Sequence, residues 1–153
     1  MTQAHRVAIF TPMMVGAGAV LCTIFIHSLA LGATVNFFRR KTRRSRAGMR
    51  YLIDITIVVS VMSFAFLAHV IEVALWAWSF MICGEFQEFG LAYYHSAVNY
   101  TTLGYGDMVM TARWKLLGPL EAADGSLMFG VSTAMIFAVI LRLIQTRFAD
   151  LRD

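Results

Sequence analysis

The sequence predicts an all-α membrane protein with three spanning helices and a fourth, half-length helix that re-enters the membrane. Three observations carry this. The 153-residue chain is 59% hydrophobic and only 14% charged, whereas soluble domains are roughly 25% charged and 45–50% apolar. Its apolar residues gather into three runs, each longer than the about 20 residues that cross a bilayer. A fourth run, Phe89–Tyr100, is apolar and aromatic but too short to span, as a re-entrant or buried segment would be.

The first segment runs from about Val7 to Phe38, with no charge after Arg6. It is too long for a signal-peptide core, and no cleavage pattern follows it. Thr11-Pro12 suits a first-turn helix start or an early kink. Arginines do not recur along it, so it is not a voltage-sensing helix. Seven of the 13 basic residues then fall together: Arg39, Arg40, Lys41, Arg43, Arg44, Arg46 and Arg50. Between two apolar segments this cluster reads as a cytoplasmic loop, which puts the N-terminus outside. Contact with anionic lipid headgroups is a further role for Arg39, Arg40, Lys41, Arg43, Arg44 and Arg46. Nucleic-acid binding is not expected.

The second segment, about Tyr51–Met81, returns outward. Asp54 lies four residues after Arg50, a helical pairing distance, and Trp76 and Trp78 suit the outer interface belt. Residues Cys83 to Glu88 read as an outer loop. After the half-length segment, Arg113 and Lys115 mark a second outer loop. The last helix begins at Leu116 or Leu117, continues to about Gln145, and carries Arg142 and Arg147 at its inner, cytoplasmic end. The organisation expected is an N-terminal helix with its basic loop (1–50), a pore-like module (51–147) and a short tail (148–153) with no room for a ligand-sensing domain.

Chemistry-bearing groups are sparse. Cys22 and Cys83 lack metal or redox spacing and read as small hydrophobic fillers. His69 and Glu72 form one H-x-x-E, which without a second copy reads as a buried polar pair rather than a di-iron site. No nucleophile elbow occurs, so neither an enzyme nor a bound cofactor is expected.

The exception to plain helix is Thr101-Thr102-Leu103-Gly104-Tyr105-Gly106-Asp107. Glycine at two alternate positions permits positive φ at no side-chain cost. Irregular backbone at membrane depth is tolerated only where it lines a water-filled or protein-enclosed path. This run resembles the selectivity filter of the tetrameric potassium channels, Thr-Val-Gly-Tyr-Gly followed by Asp. With its flanking segments, about Tyr51 to Arg147 resembles the pore module of bacterial two-transmembrane pore-loop channels, with one extra helix in front.

The resemblance implies a four-fold symmetric homotetramer that conducts K+, with Thr102, Leu103, Gly104, Tyr105 and Gly106 holding the ion. The Thr102 hydroxyl and the carbonyls of Thr102 to Tyr105 would form five oxygen layers. Two oxygens per cage from one chain require four chains around the ion. Leu103 stands where the family has Val and faces away from the pore. Thr101 and Asp107 flank the filter. Tyr94 and His95 occupy positions where family aromatics support the filter tyrosine. Val98 replaces a glutamate that in some relatives restrains the aspartate after the filter, leaving Asn99 as the nearest polar alternative on this helix.

Glu121 and Asp124, early in the last helix, have three roles open to them: bonding to the back of the filter, an outer cation-attracting ring, or plain solvation above the hydrocarbon. Gly130 is a candidate hinge, with close helix packing as its rival. Met135, Val139 and Leu143 share a face at spacing four and are candidate gate residues. The reading is a K+-selective channel in the plasma membrane, as in a bacterial inner membrane. Its alternatives are a non-conducting scaffold or regulatory subunit that keeps the pore fold, and a weakly selective cation channel.

Overall fold

The computed structural model describes residues 9–42 and 50–150. Four helices follow one another: α1 Phe10–Thr42, α2 Arg50–Ile82, α3 Phe89–Tyr100 and α4 Leu117–Asp150. Among the described residues there is no strand. α1, α2 and α4 each contain a stretch long and apolar enough to cross a membrane: Phe10–Arg40, Leu52–Ile82 and Leu117–Thr146. At 1.5 Å per residue, the 12 residues of α3 reach only about 18 Å. This is an all-α protein of three candidate spans and one half-length helix.

The boundaries differ from expectation at two ends. α1 runs on through Arg39, Arg40 and Lys41 to Thr42. Arg and Lys are good helix formers, and cations favour the negative C-terminal end of the helix dipole. Arg43, Arg44 and Arg46 lie outside the described residues, as does the Arg50 side chain that was expected to meet Asp54. α4 likewise passes Gln145 and ends at Asp150.

Two apolar cores sit at opposite ends of the bundle. One, beside α3, gathers Trp76, Phe80, Tyr100, Trp114, Leu117 and Met128. The other packs Ile57, Val61 and Val139 with Phe38, Ile53, Met135 and Leu143. One expectation fails here. Trp76 is fully buried with its indole committed to a carboxylate, so only Trp78, 60% exposed, suits an interface belt. Met135, Val139 and Leu143 do share a face, but it is the face that packs on α2 and the end of α1. Cys83 packs at the first core, while Cys22 is exposed on α1 and fills no core.

The α3–α4 crossing depends on Gly125. A Cβ there would run into the Tyr100 carbonyl and ring, whereas one at Gly130 would meet nothing within 4 Å. Close packing therefore belongs to Gly125, and Gly130 is left on an open face of a continuous helix. Overpacking costs typically about 1–3 kcal/mol. Gly125→Ala is accordingly expected to lower the thermal midpoint of the purified protein well below that of Gly130→Ala; equal midpoints would refute the close crossing.

Candidate functional site: a re-entrant helix and its glycine loop

α3 stops at Tyr100, and its last carbonyls are only partly satisfied. The N–H of Thr101 donates to Ala97 O (3.1 Å), that of Thr102 to Asn99 O (2.8 Å), and those of Leu103 and Gly104 both reach Val98 O, at 2.9 and 3.2 Å. The Thr101 hydroxyl donates to Ala97 O at 2.7 Å. The negative end of the α3 dipole thus sits where the loop begins, which favours a cation there.

Beyond that point the backbone alternates. φ is positive at Thr102 (59°), Gly104 (60°) and Gly106 (73°), and Leu103 and Tyr105 between them are not in this class. Glycine takes positive φ freely, but Thr102 is β-branched, a genuine outlier of the sort that clusters at functional sites. Thr102 to Gly106 are all exposed in the single chain. Leu103 is 56% and Tyr105 66% exposed, so the chain's own Tyr94 and His95 do not enclose Tyr105.

The loop is pinned from several sides. Tyr94 OH donates to Asp107 Oδ2 at 2.8 Å, a bond that raises the tyrosine's pKa. Asp107 therefore finds Tyr94 rather than Asn99. The Asn99 amide instead donates to His95 Nε2 at 3.0 Å. His95 is buried, packed edge-on against Phe80 and beside Phe86, and burial holds its pKa below the usual value. Beyond the loop, Thr111 donates its N–H and hydroxyl to the two Glu85 oxygens. A cavity of about 390 Å³ lies behind Thr102, Gly104 and Gly106, walled by His95, Asn99 and Pro119.

The early α4 acids are fully buried, Glu121 at 0% and Asp124 at 1% exposure. A solvated position and an outer cation ring are both excluded for this chain. Glu121 accepts from Ser96 on α3, so it braces the helix behind the loop, and its Oε2 has no hydrogen-bond partner. Asp124 does not touch the loop. It accepts from Trp76 Nε1 (2.9 Å) and from Thr23 Oγ1 (3.0 Å), tying α4 to α2 and α1. Three residues further along α4 leaves Asp124 about 60° round the helix and about 4.5 Å along it, within reach of α1 and α2 rather than α3.

His69 and Glu72 are more than an isolated pair. Glu72 Oε1 lies 2.9 Å from His27 Nδ1 of α1, and Oε2 lies 3.1 Å from His69 Nδ1. Tyr100 OH donates to Oε2 as well. Ser132 Oγ on α4 lies 3.1 Å from His27 Nε2 and 3.0 Å from His69 Nε2. Sequence reasoning missed His27, Thr23, Tyr100 and Ser132. The available signal was polarity itself: Thr23 and His27, one turn apart in a largely apolar span, point to a buried partner.

A short helix ending at membrane depth, a loop of alternating backbone hand and two flanking spans define a pore-loop membrane protein. The family described as "Ion channel" matches residues 56–142, more than half the chain, and the protein belongs to this family of two-transmembrane pore-loop channels. No curated protein and no solved structure matches the chain significantly.

Two measurements check this geometry. Trp76→Phe removes the indole donor and leaves Asp124 short of a partner, an expected loss of about 1–3 kcal/mol seen as a lower thermal midpoint. His95, with its pKa depressed from 6.5, binds fewer protons folded than unfolded below that value. Stability should therefore be full above pH 6.5 and decline as pH falls through it. His95→Gln keeps an acceptor for Asn99 and removes the titration, so its stability should depend less on acid; parallel slopes would refute the assignment.

Proposed function

We propose that four copies of this chain surround one axis and conduct K+ selectively. The alternating backbone of Thr102 to Gly106 is the observation that carries the reading. Carbonyls turned to one side replace the water shell of a dehydrated cation, and neighbouring sites let ions displace one another. One chain supplies too few oxygens to surround an ion, and its loop is exposed, which four-fold assembly would remedy. Thr101 and Asp107 hold the loop ends through Ala97 and Tyr94. Asn99, through His95, and Glu121, through Ser96, brace α3.

The pore-lining face of α4 is then the one opposite its packed face: Gly130, Ala134, Phe137 and Leu141, all exposed in the single chain. Phe137 and Leu141, four apart, stand near the inner end and replace Met135, Val139 and Leu143 as the narrowing. Gly130, with open space about it, is suited to a bend. The run of cations from Arg39 supports a cytoplasmic α1–α2 loop in contact with anionic headgroups, with the N-terminus outside and the C-terminus inside a plasma membrane such as the bacterial inner membrane.

Reconstituted in liposomes, the protein is expected to pass K+ well ahead of Na+; equal fluxes, or none, would overturn the reading. Gly104→Ala forces a side chain into positive φ at roughly 1–2 kcal/mol per chain. Since about 1.4 kcal/mol is tenfold in rate, selective flux should fall by about an order of magnitude or more.

A further inference from the structure

A buried polar cluster joins all four helices: His27 of α1, His69 and Glu72 of α2, Tyr100 at the end of α3 and Ser132 of α4. Glu72 is 0% exposed, and both its oxygens face imidazole nitrogens, His27 Nδ1 at 2.9 Å and His69 Nδ1 at 3.1 Å. A carboxylate taken out of water needs a compensating positive charge as well as hydrogen bonds. Among the described residues its partners are His27, His69 and Tyr100, none of them a lysine or arginine.

Ser132 constrains where the protons sit. Its Oγ is almost equidistant from the two Nε2 atoms, 3.1 and 3.0 Å away. A hydroxyl has one hydrogen and two lone pairs. It can donate to one ring and accept from the other, which leaves one Nδ1–H facing Glu72, or accept an N–H from each, which makes both rings Nε2–H tautomers. In the second arrangement both Nδ1 atoms present lone pairs toward the Glu72 carboxylate. The Tyr100 hydroxyl then supplies the one proton among three electron-rich groups, an arrangement a cation would relieve.

We propose that His27, His69 and Glu72 bind a divalent transition cation, with Zn2+ the best fit. One ligand atom from each residue lies within 4.8 Å of the others. Each Glu72 oxygen lies close to one imidazole nitrogen, 2.9 and 3.1 Å away, so a cation on bonds of about 2.0–2.1 Å could meet both rings and one carboxylate oxygen. Two neutral imidazoles and a carboxylate suit Zn2+. The outer contacts are also those of a metal site: Ser132 orients both rings through their far nitrogens, and Tyr100 OH holds the carboxylate. That hydroxyl lies 3.2 Å from His69 Nδ1, so the fourth position falls to the phenol or to a water.

Such a cation would join α1 to α2 directly and reach α3 and α4 through Tyr100 and Ser132. Tyr100 is the residue before Thr101, and Ser132 lies two beyond Gly130. Metal occupancy would thereby set how firmly the extra helix holds the loop and the open stretch of α4. That consequence for conduction rests on the channel reading; the binding itself does not.

Untagged full-length protein, purified without chelator, tests the proposal by elemental analysis and by titration with Zn2+ alone. About one Zn2+ per chain is expected in wild type and none in His27→Ala or Glu72→Gln. Ser132→Ala should bind about 10–100-fold more weakly, and Cys83→Ser should bind as wild type does. Chelation should lower the wild-type thermal midpoint, and added Zn2+ should restore it. Should the ligand variants fail to fold, Co2+ added to wild type decides: tetrahedral visible absorption bands that Zn2+ abolishes support the site. Metal-free wild type indifferent to Zn2+ and Co2+ would overturn it and leave a hydrogen-bonded cluster closed by one imidazolium. Undiminished Zn2+ in folded His27→Ala would overturn it equally. None of these readouts depends on ion flux.

Discussion

Three buried carboxylates hold this bundle in one arrangement. In a membrane an apolar side chain gains little by leaving lipid for another apolar side chain, so helix contacts must be specified by close packing and by hydrogen bonds. Glu72 joins α2 to α1 and α3, Asp124 joins α4 to α2 and α1, and Glu121 joins α4 to α3. Each acid demands partners because an unmet charge at this depth is costly. The partners come from other helices, and the demand becomes a register.

The loop inherits its geometry from that frame. Tyr100 ends α3, gives its hydroxyl to Glu72, and lets α4 approach its backbone only because residue 125 is glycine. Thr102 begins the loop two residues later with φ at 59°, a conformation a β-branched residue holds only when its surroundings over-determine it. The supports on either side, Val98 O beneath and the Glu85–Thr111 and Tyr94–Asp107 bonds beyond, leave the loop little freedom.

The extra helix α1 is integrated with the family's two-helix frame. Thr23 and His27 plug into Asp124 and Glu72, and Gly16 sits close against Leu120. α1 thus contributes to the same polar layer that positions α3. Much of its remaining surface is apolar and exposed, at Leu21, Phe25 and Leu29 among others, as suits lipid contact or contact with another copy.

The sequence by itself determined the spans, the half-length helix and the loop motif. These are local properties: hydrophobic length is read along the chain, and the α3 limits Phe89 and Tyr100 fall where the apolar run begins and ends. The glycines at 104 and 106 likewise announce their backbone. Tertiary structure decided everything that depends on which way a helix turns. Trp76 moved from interface to core, and Asp107 found Tyr94. Met135, Val139 and Leu143 proved to be the inward face, and His69–Glu72 acquired His27 from 45 residues away. Spacing along a helix shows which residues share a face, but when every face is apolar it does not show which face is buried. Only the convergence of polar groups from four helices supplies that information.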